Sequence, residues 1–158
     1  MAFSFLTQEL AIDLGTANTV IFLNDKIVLD EPSIVAIDQT NGKPIAFGHM
    51  ARMMHERTNP NIKTVRPLKD GVIADFNAAE LMIRGFVKMI KNRKGWFTPN
   101  LKMVVAGPAG RTEVEIRAVR DSAEHAGGHD VYIIYEPMAA ALGIGLDVTA
   151  PVGQMVVD

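Results

Sequence analysis

Ala11-Ile12-Asp13-Leu14-Gly15-Thr16-Ala17-Asn18-Thr19 carries the chain from an apolar strand into a glycine turn lined with hydroxyl and amide side chains. The apolar residues between Phe3 and Ile12 supply a buried strand, and Asp13 falls where it should emerge, which puts a carboxylate at the mouth of a cleft. Gly15, lacking a Cβ, lets the backbone turn closely around a phosphate. Thr16, Asn18 and Thr19 add side-chain donors. Val20 to Leu23 restarts a strand, so the turn is a hairpin tip. On residues alone, an ordinary polar hairpin remains a full alternative.

The chain has 158 residues, which suits one domain or one with a modest insertion, and 48% of them are hydrophobic, enough for a packed core. A formal net charge of -2 argues against a nucleic-acid partner, because backbone phosphates call for a basic face. With no cysteine there is neither a disulfide framework nor a thiolate metal site, which fits a reducing compartment. No apolar run approaches the roughly 18 residues that span a bilayer, and no basic segment precedes a long apolar stretch at the N-terminus. A cytoplasmic location is the expectation.

Outward from the turn, strands are predicted over Glu9–Asp13, Thr19–Asn24, Lys26–Asp30 and Ser33–Asp38, a meander with turns at Asn24-Asp25 and Thr40-Asn41-Gly42-Lys43. Met50–His55 reads as a short helix, Asn59-Pro60-Asn61 as a loop and Val65–Leu68 as extended. Asn77, with Glu80 three residues on, predicts a capped helix running to Gly95. Leu101–Ala106 is a buried parallel strand, Thr112 with Glu115 forms a capping box for a helix ending at Gly127-Gly128, and Val131–Tyr135 is another buried strand. A helix over Met138–Leu146 and a strand starting at Gln154–Val157 complete the pattern. The expected fold is α/β: a mixed sheet with an antiparallel meander and parallel strands flanked by helices, plus a small inserted α+β subdomain. The expected division is a core of residues 1–31 and 71–150, an insertion over 32–70, and 151–158 opening a second domain.

The strand-borne Asp13-x-Gly15-Thr16 turn, Glu136-Pro137-x-Ala139-Ala140-Ala141 and the terminal Val156-Val157-Asp158 together resemble the actin-like (ribonuclease H-like) ATPases, a superfamily that includes heat-shock chaperones and sugar kinases. Ile12 to Thr19, Glu31-Pro32-Ser33-Ile34-Val35-Ala36, Arg66 to Asp75 and Glu136 to Ala141 are similar, in order and separation, to the MreB family of bacterial cell-shape proteins. The resemblance covers essentially the whole chain. It implies that Gly15, Thr16, Ala17 and Asn18 cradle ATP phosphates and that Asp13 and Asp158 face one Mg²⁺, through its waters as suits an ion that dehydrates reluctantly. It implies that Glu136 orients or deprotonates the attacking water, where residues alone also allow a solvated acid. Members often carry an acid before the Glu-Pro pair, where this chain has Tyr135.

The same resemblance implies a cytoskeletal ATPase that polymerises into filaments on the inner face of the cytoplasmic membrane and directs wall synthesis and cell shape. Its partners would be further copies of itself, the membrane and wall-synthesis proteins. A chaperone-type or sugar-kinase-type ATPase is the alternative. The 158 residues read as the first domain of a longer protein, with little or no activity alone, since one wall of a cleft cannot exclude water. Trp96 and Phe97 follow a helix bearing Lys88, Lys91, Arg93 and Lys94, and by resemblance form a membrane-insertion loop; by packing alone they are core. Met50, Met53 and Met54 read as packing residues of the insertion, and His125 with His129 do not read as a metal site, because Gly127-Gly128 interrupts any shared helix.

Overall fold

A computed structural model describes residues 7–55, 57, 59–94, 100–107, 110 and 112–157. Thr7–Leu14 (β1), Asn18–Leu23 (β2), Lys26–Pro32 (β3), Asn100–Gly107 (β9) and Asp130–Tyr135 (β10) form a five-stranded sheet in the order β10-β9-β1-β2-β3. β1 pairs antiparallel with β2 and parallel with β9, so the meander and the crossover half of the fold meet along one strand. Its period-2 alternation buries Leu10, Ile12 and Leu14 on one face and leaves Ala11 and Asp13 on the other. Onto the buried face pack Phe76–Lys94 (α2), through Met82, Ile83, Phe86, Val87 and Ile90, and Glu113–His125 (α3), through Val119 and Ala123.

Helix ends follow local chemistry. The capping box at Thr112 and Glu115 forms as expected: Glu115 N–H donates to the Thr112 hydroxyl at 3.3 Å and Thr112 N–H to the Glu115 carboxylate at 2.7 Å. α3 closes with Gly127 at φ 104, and Gly128 N–H donates back to Ala123 O. Glu136–Gly143 (α4) closes the same way, Gly145 adopting φ 80 while Leu146 N–H reaches Ala141 O. That left-handed residue is why α4 stops short of Leu146.

Three other expectations are corrected. α2 is capped by Asp75, whose carboxylate accepts from Ala78 N–H at 2.9 Å, rather than by Asn77. A carboxylate just outside the helix also gains from the N-terminal dipole, while Glu80 instead engages Arg84 and His125. Val65–Leu68 is not one extended run. Ile62–Val65 (β6) joins Val35–Asp38 (β4) and Pro44–Phe47 (β5) in a three-stranded sheet, β5-β4-β6, and Leu68–Lys69 (β7) turns through Asp70-Gly71 to pair with Val72–Ile73 (β8). Gln154–Val157 forms no strand: no described strand pairs with it, and Met155 and Val157 lie exposed.

The small sheet, backed by Gly48–Met54 (α1), has its own buried cluster of Ile34, Ala36, Ala46 and Ala51. It is tied to the large sheet's helix by Phe47, whose ring meets Phe86 edge-on at 6.4 Å. Gly85 makes this possible, because a Cβ there would run into the Phe47 ring. Gly85→Ala gains roughly 1 kcal/mol in helix propensity but overpacks this contact, at a cost of about 1–3 kcal/mol. Urea unfolding should therefore find Gly85→Ala less stable and Gly85→Ala with Phe47→Leu recovered; a single variant more stable than the parent would contradict the packing account.

Candidate functional site

The parallel strands β1, β9 and β10 end at one edge of the sheet, the edge where open α/β sheets bind ligands. Asp13, the penultimate residue of β1, lies opposite Val20 and Ala106, and Glu136 opens α4 directly after β10. Both line a cavity of about 1060 Å³ together with Gly15. Its rim is polar, but its floor is the uncovered sheet face, with Ala11, Phe22, Val104 and Ile134, closed at one side by α4 and Val156.

Between β1 and β2 the turn is tight. A Cβ on Gly15 would stand 2.5 Å from Asn18 O, so glycine is required first by the chain's approach to itself. The hydroxyl of Thr16 accepts the Gly71 N–H at 2.8 Å from the β7–β8 turn, which leaves the Thr16 O–H as a donor. The Asn18 amide donates to Asp30 on β3 at 3.2 Å, retaining a second N–H. Ala17 contributes backbone alone. Thr19 is corrected: grouped with the turn's donors in the sequence, it faces the core fully buried, at 2.9 Å from Ser33 Oγ.

Of the expected site residues, the structure brings Asp13, Gly15 and Glu136 to one cavity; Thr16, Ala17 and Asn18 continue the turn from Gly15 but are not among the residues that line it. Asp158, Trp96 and Phe97 lie outside the described residues. Two participants were not foreseen, Gly71 and Ser33. Asp70-Gly71 between Lys69 and Val72 is a two-residue hairpin signal that was available in the sequence; Ser33 carried no local signal, since only tertiary folding sets it behind the turn. His125 engages Glu80 at 3.2 Å and His129 engages Asp130 at 3.1 Å. Among the described residues no group of three or more His, Cys, Asp or Glu is arranged to hold a metal. No described helix is long and apolar enough to cross a membrane.

A mixed sheet with its meander joined to a crossover half, a glycine turn after the first strand and an acid opening the helix after the last define the actin-like fold. The fold is similar to the crystal structure of MreB5 of Spiroplasma citri bound to ADP, with a TM-score of 0.76 and 34% identity over 92% of this chain and 43% of that one. The same protein bound to AMPPNP gives 0.75. The MreB/Mbl protein family matches residues 7–158, and the chain belongs to that family. It is 48% identical to the cell shape-determining protein MreB of Escherichia coli (strain K12) over 96% of this chain and 45% of that protein. It is 47% identical to the cell shape-determining protein Mbl of Bacillus subtilis (strain 168), with the same shares. The chain thus spans a little under half the length of these relatives.

Tyr135 stands at the N-cap of α4, with extended backbone and no side-chain hydrogen bond to the helix. Tyr135→Asp supplies the missing acceptor and complements the dipole, which should stabilise the fold by about 1 kcal/mol. A urea midpoint that stays put or falls would mean that α4 is not limited by its cap.

Proposed function

We propose that this chain forms one wall of an ATP and Mg²⁺ site in a cytoskeletal filament protein that governs cell shape. The observation that carries the reading is the meeting of Asp13, Gly15 and Glu136 on one cavity at the ends of the parallel strands. It is supported by the ADP-bound and AMPPNP-bound states of the similar MreB5 and by identity to proteins named for cell shape. That identity favours the filament class over a chaperone or sugar kinase.

The residues fit such a ligand. Gly15 permits the tight turn, where a Cβ would stand 2.5 Å from Asn18 O, and backbone N–H groups with the Thr16 hydroxyl suit phosphate oxygens. Asp13 is an exposed carboxylate beside that turn, suited to hold the waters of a Mg²⁺ ion, with Asp158 as its partner in the proposal. The ion, when bound, would neutralise phosphate charge. Glu136, half-buried at the first turn of α4, is the acceptor that would orient the attacking water and take its proton. Residues 1–31 and 71–150 would form the core, 32–70 the insertion, and 151–158 the start of a second domain that closes the other wall. Activity would then belong to the longer protein and be slight or absent in these 158 residues.

Filament protomers of this chain would associate with one another at the inner face of the cytoplasmic membrane, where Trp96 and Phe97 would insert beside the cationic end of α2, and would guide wall-synthesis proteins. A weak anchor on each protomer gains strength by avidity once assembled.

The test is sedimentation of the full-length natural protein with ATP, ADP or no nucleotide, with and without anionic liposomes. Nucleotide-dependent pelleting and liposome flotation are expected, with flotation lost in Trp96→Ser with Phe97→Ser. Glu136→Ala should lower ATP hydrolysis by about 10²-fold or more while ATP binding persists. Assembly indifferent to nucleotide, or hydrolysis unchanged in Glu136→Ala, would defeat the reading. Flotation unchanged in the double serine variant would make the loop structural.

A further inference from the structure

We infer that Ser33 is a positioning residue for the phosphate turn, aiming its backbone N–H groups from behind. This rests on the nucleotide reading above. Ser33 is fully buried, as is Thr19, and both stand behind the turn rather than in the cavity. A buried hydroxyl needs a partner, and Ser33 has several. Its hydroxyl donates to Gly15 O at 2.6 Å, its own N–H donates to Ala17 O at 2.8 Å, and its Oγ lies 2.9 Å from Thr19 Oγ1. Since the single Ser33 hydroxyl proton is committed to Gly15 O, Thr19 is the donor in that last bond.

The consequence follows from peptide geometry. In a trans peptide unit the carbonyl of one residue and the N–H of the next point in opposite directions. Drawing Gly15 O toward Ser33 therefore turns Thr16 N–H away from it, and drawing Ala17 O toward Ser33 does the same for Asn18 N–H. One buried residue thus orients two peptide planes of a four-residue turn. Gly15, whose conformational freedom would otherwise let its peptide flip, is held by the shortest of these bonds. Thr19 in turn fixes the Ser33 rotamer, so the order of importance is Ser33 before Thr19.

Ligand-side residues cannot replace this restraint. Thr16 and Asn18 use their side chains to reach Gly71 and Asp30, ties that hold the flanks of the turn and leave its peptide planes to Ser33. Orientation prepared before binding removes an ordering cost that would otherwise weaken affinity.

The experiment measures ATP and ADP affinity and urea unfolding in parallel for the full-length natural protein and its variants. Ser33→Ala should weaken both nucleotides about tenfold, the scale of one lost hydrogen bond, and Ser33→Thr, which keeps the hydroxyl, should recover most of it. Thr19→Val should weaken them less than Ser33→Ala, and it serves as the reading if Ser33→Ala does not fold. Ser122→Ala is the control: its hydroxyl is buried too, but donates to Ala118 O within α3. It should lose stability and keep parental affinity. A folded Ser33→Ala with parental affinity overturns the proposal, as does a Ser122→Ala that weakens nucleotide equally. Should Ser33→Ala not fold, a Thr19→Val with parental affinity overturns it. If the parent binds neither nucleotide, the nucleotide reading itself fails, and that outcome is distinct from a parent that binds and a variant that binds as well.

Discussion

The fold is referred to β1, because among the described strands it alone pairs parallel on one side and antiparallel on the other. Leu10, Ile12 and Leu14 point into the core beneath α2 and α3. At roughly 1.5–3 kcal/mol for each fully buried side chain, a one-residue slip of register would cost several kcal/mol, since it would turn all three to the other face. The same alternation obliges Asp13 to stand on the cavity side. The carboxylate is held where it is by the hydrophobicity of its neighbours.

The two faces of the sheet consequently do different work. One is sealed by α2 and α3, with Met103, Val105 and Val119 fully buried. The other presents a row across four strands, Phe22, Ala11, Val104 and Tyr132, related by direct pairing. That row is apolar and includes exposed Phe22, Val104 and Tyr132. Phosphate chemistry does not explain it. The cavity therefore combines a polar rim, where Asp13, Gly15 and Glu136 gather, with a hydrophobic floor whose physical logic is burial rather than ligand polarity.

The legible parts of the fold were those governed by local chemistry. Short apolar runs bounded by turn residues marked β1, β2, β9 and β10, and Thr112 with Glu115 marked the start of α3 because both halves of the box lie within one turn. What failed locally failed for identifiable reasons. Asn77 and Asp75 are both good caps, and only the chain path chose between them. β5 and β6 are four residues each, too short for periodicity to speak, and they form because β4 offers an edge on both sides. The α4 terminus depended on which of Gly143 and Gly145 took the left-handed conformation. At the site, Asp13, Gly15 and Glu136 were readable through a combination of strand ends and family likeness. Thr19 was misassigned because a threonine next to a turn looks polar in sequence, whereas strand alternation turns it inward.

Residues 30–34 explain why the turn and the small sheet cannot be treated as separate objects. Asp30 holds Asn18, Ser33 holds Gly15 and Ala17, and Ile34 O accepts from Gly48 N–H at 3.0 Å. Glu31 reaches the other way, its carboxylate accepting from both His49 N–H and the His49 ring at 2.8 Å. That reach depends on Gly48, which adopts φ 57 and whose missing Cβ would otherwise overlap the Glu31 side chain. A side chain at Gly48 would displace Glu31, and Glu31 stands between Asp30 and Ser33 on a strand whose pairing with β2 sets the turn. Four of these five consecutive residues thus carry contacts, Asp30 and Ser33 to the turn and Glu31 and Ile34 to the start of α1. A shift of the β1–β2 turn has to be matched by a shift at the start of α1 or by the loss of hydrogen bonds along this segment.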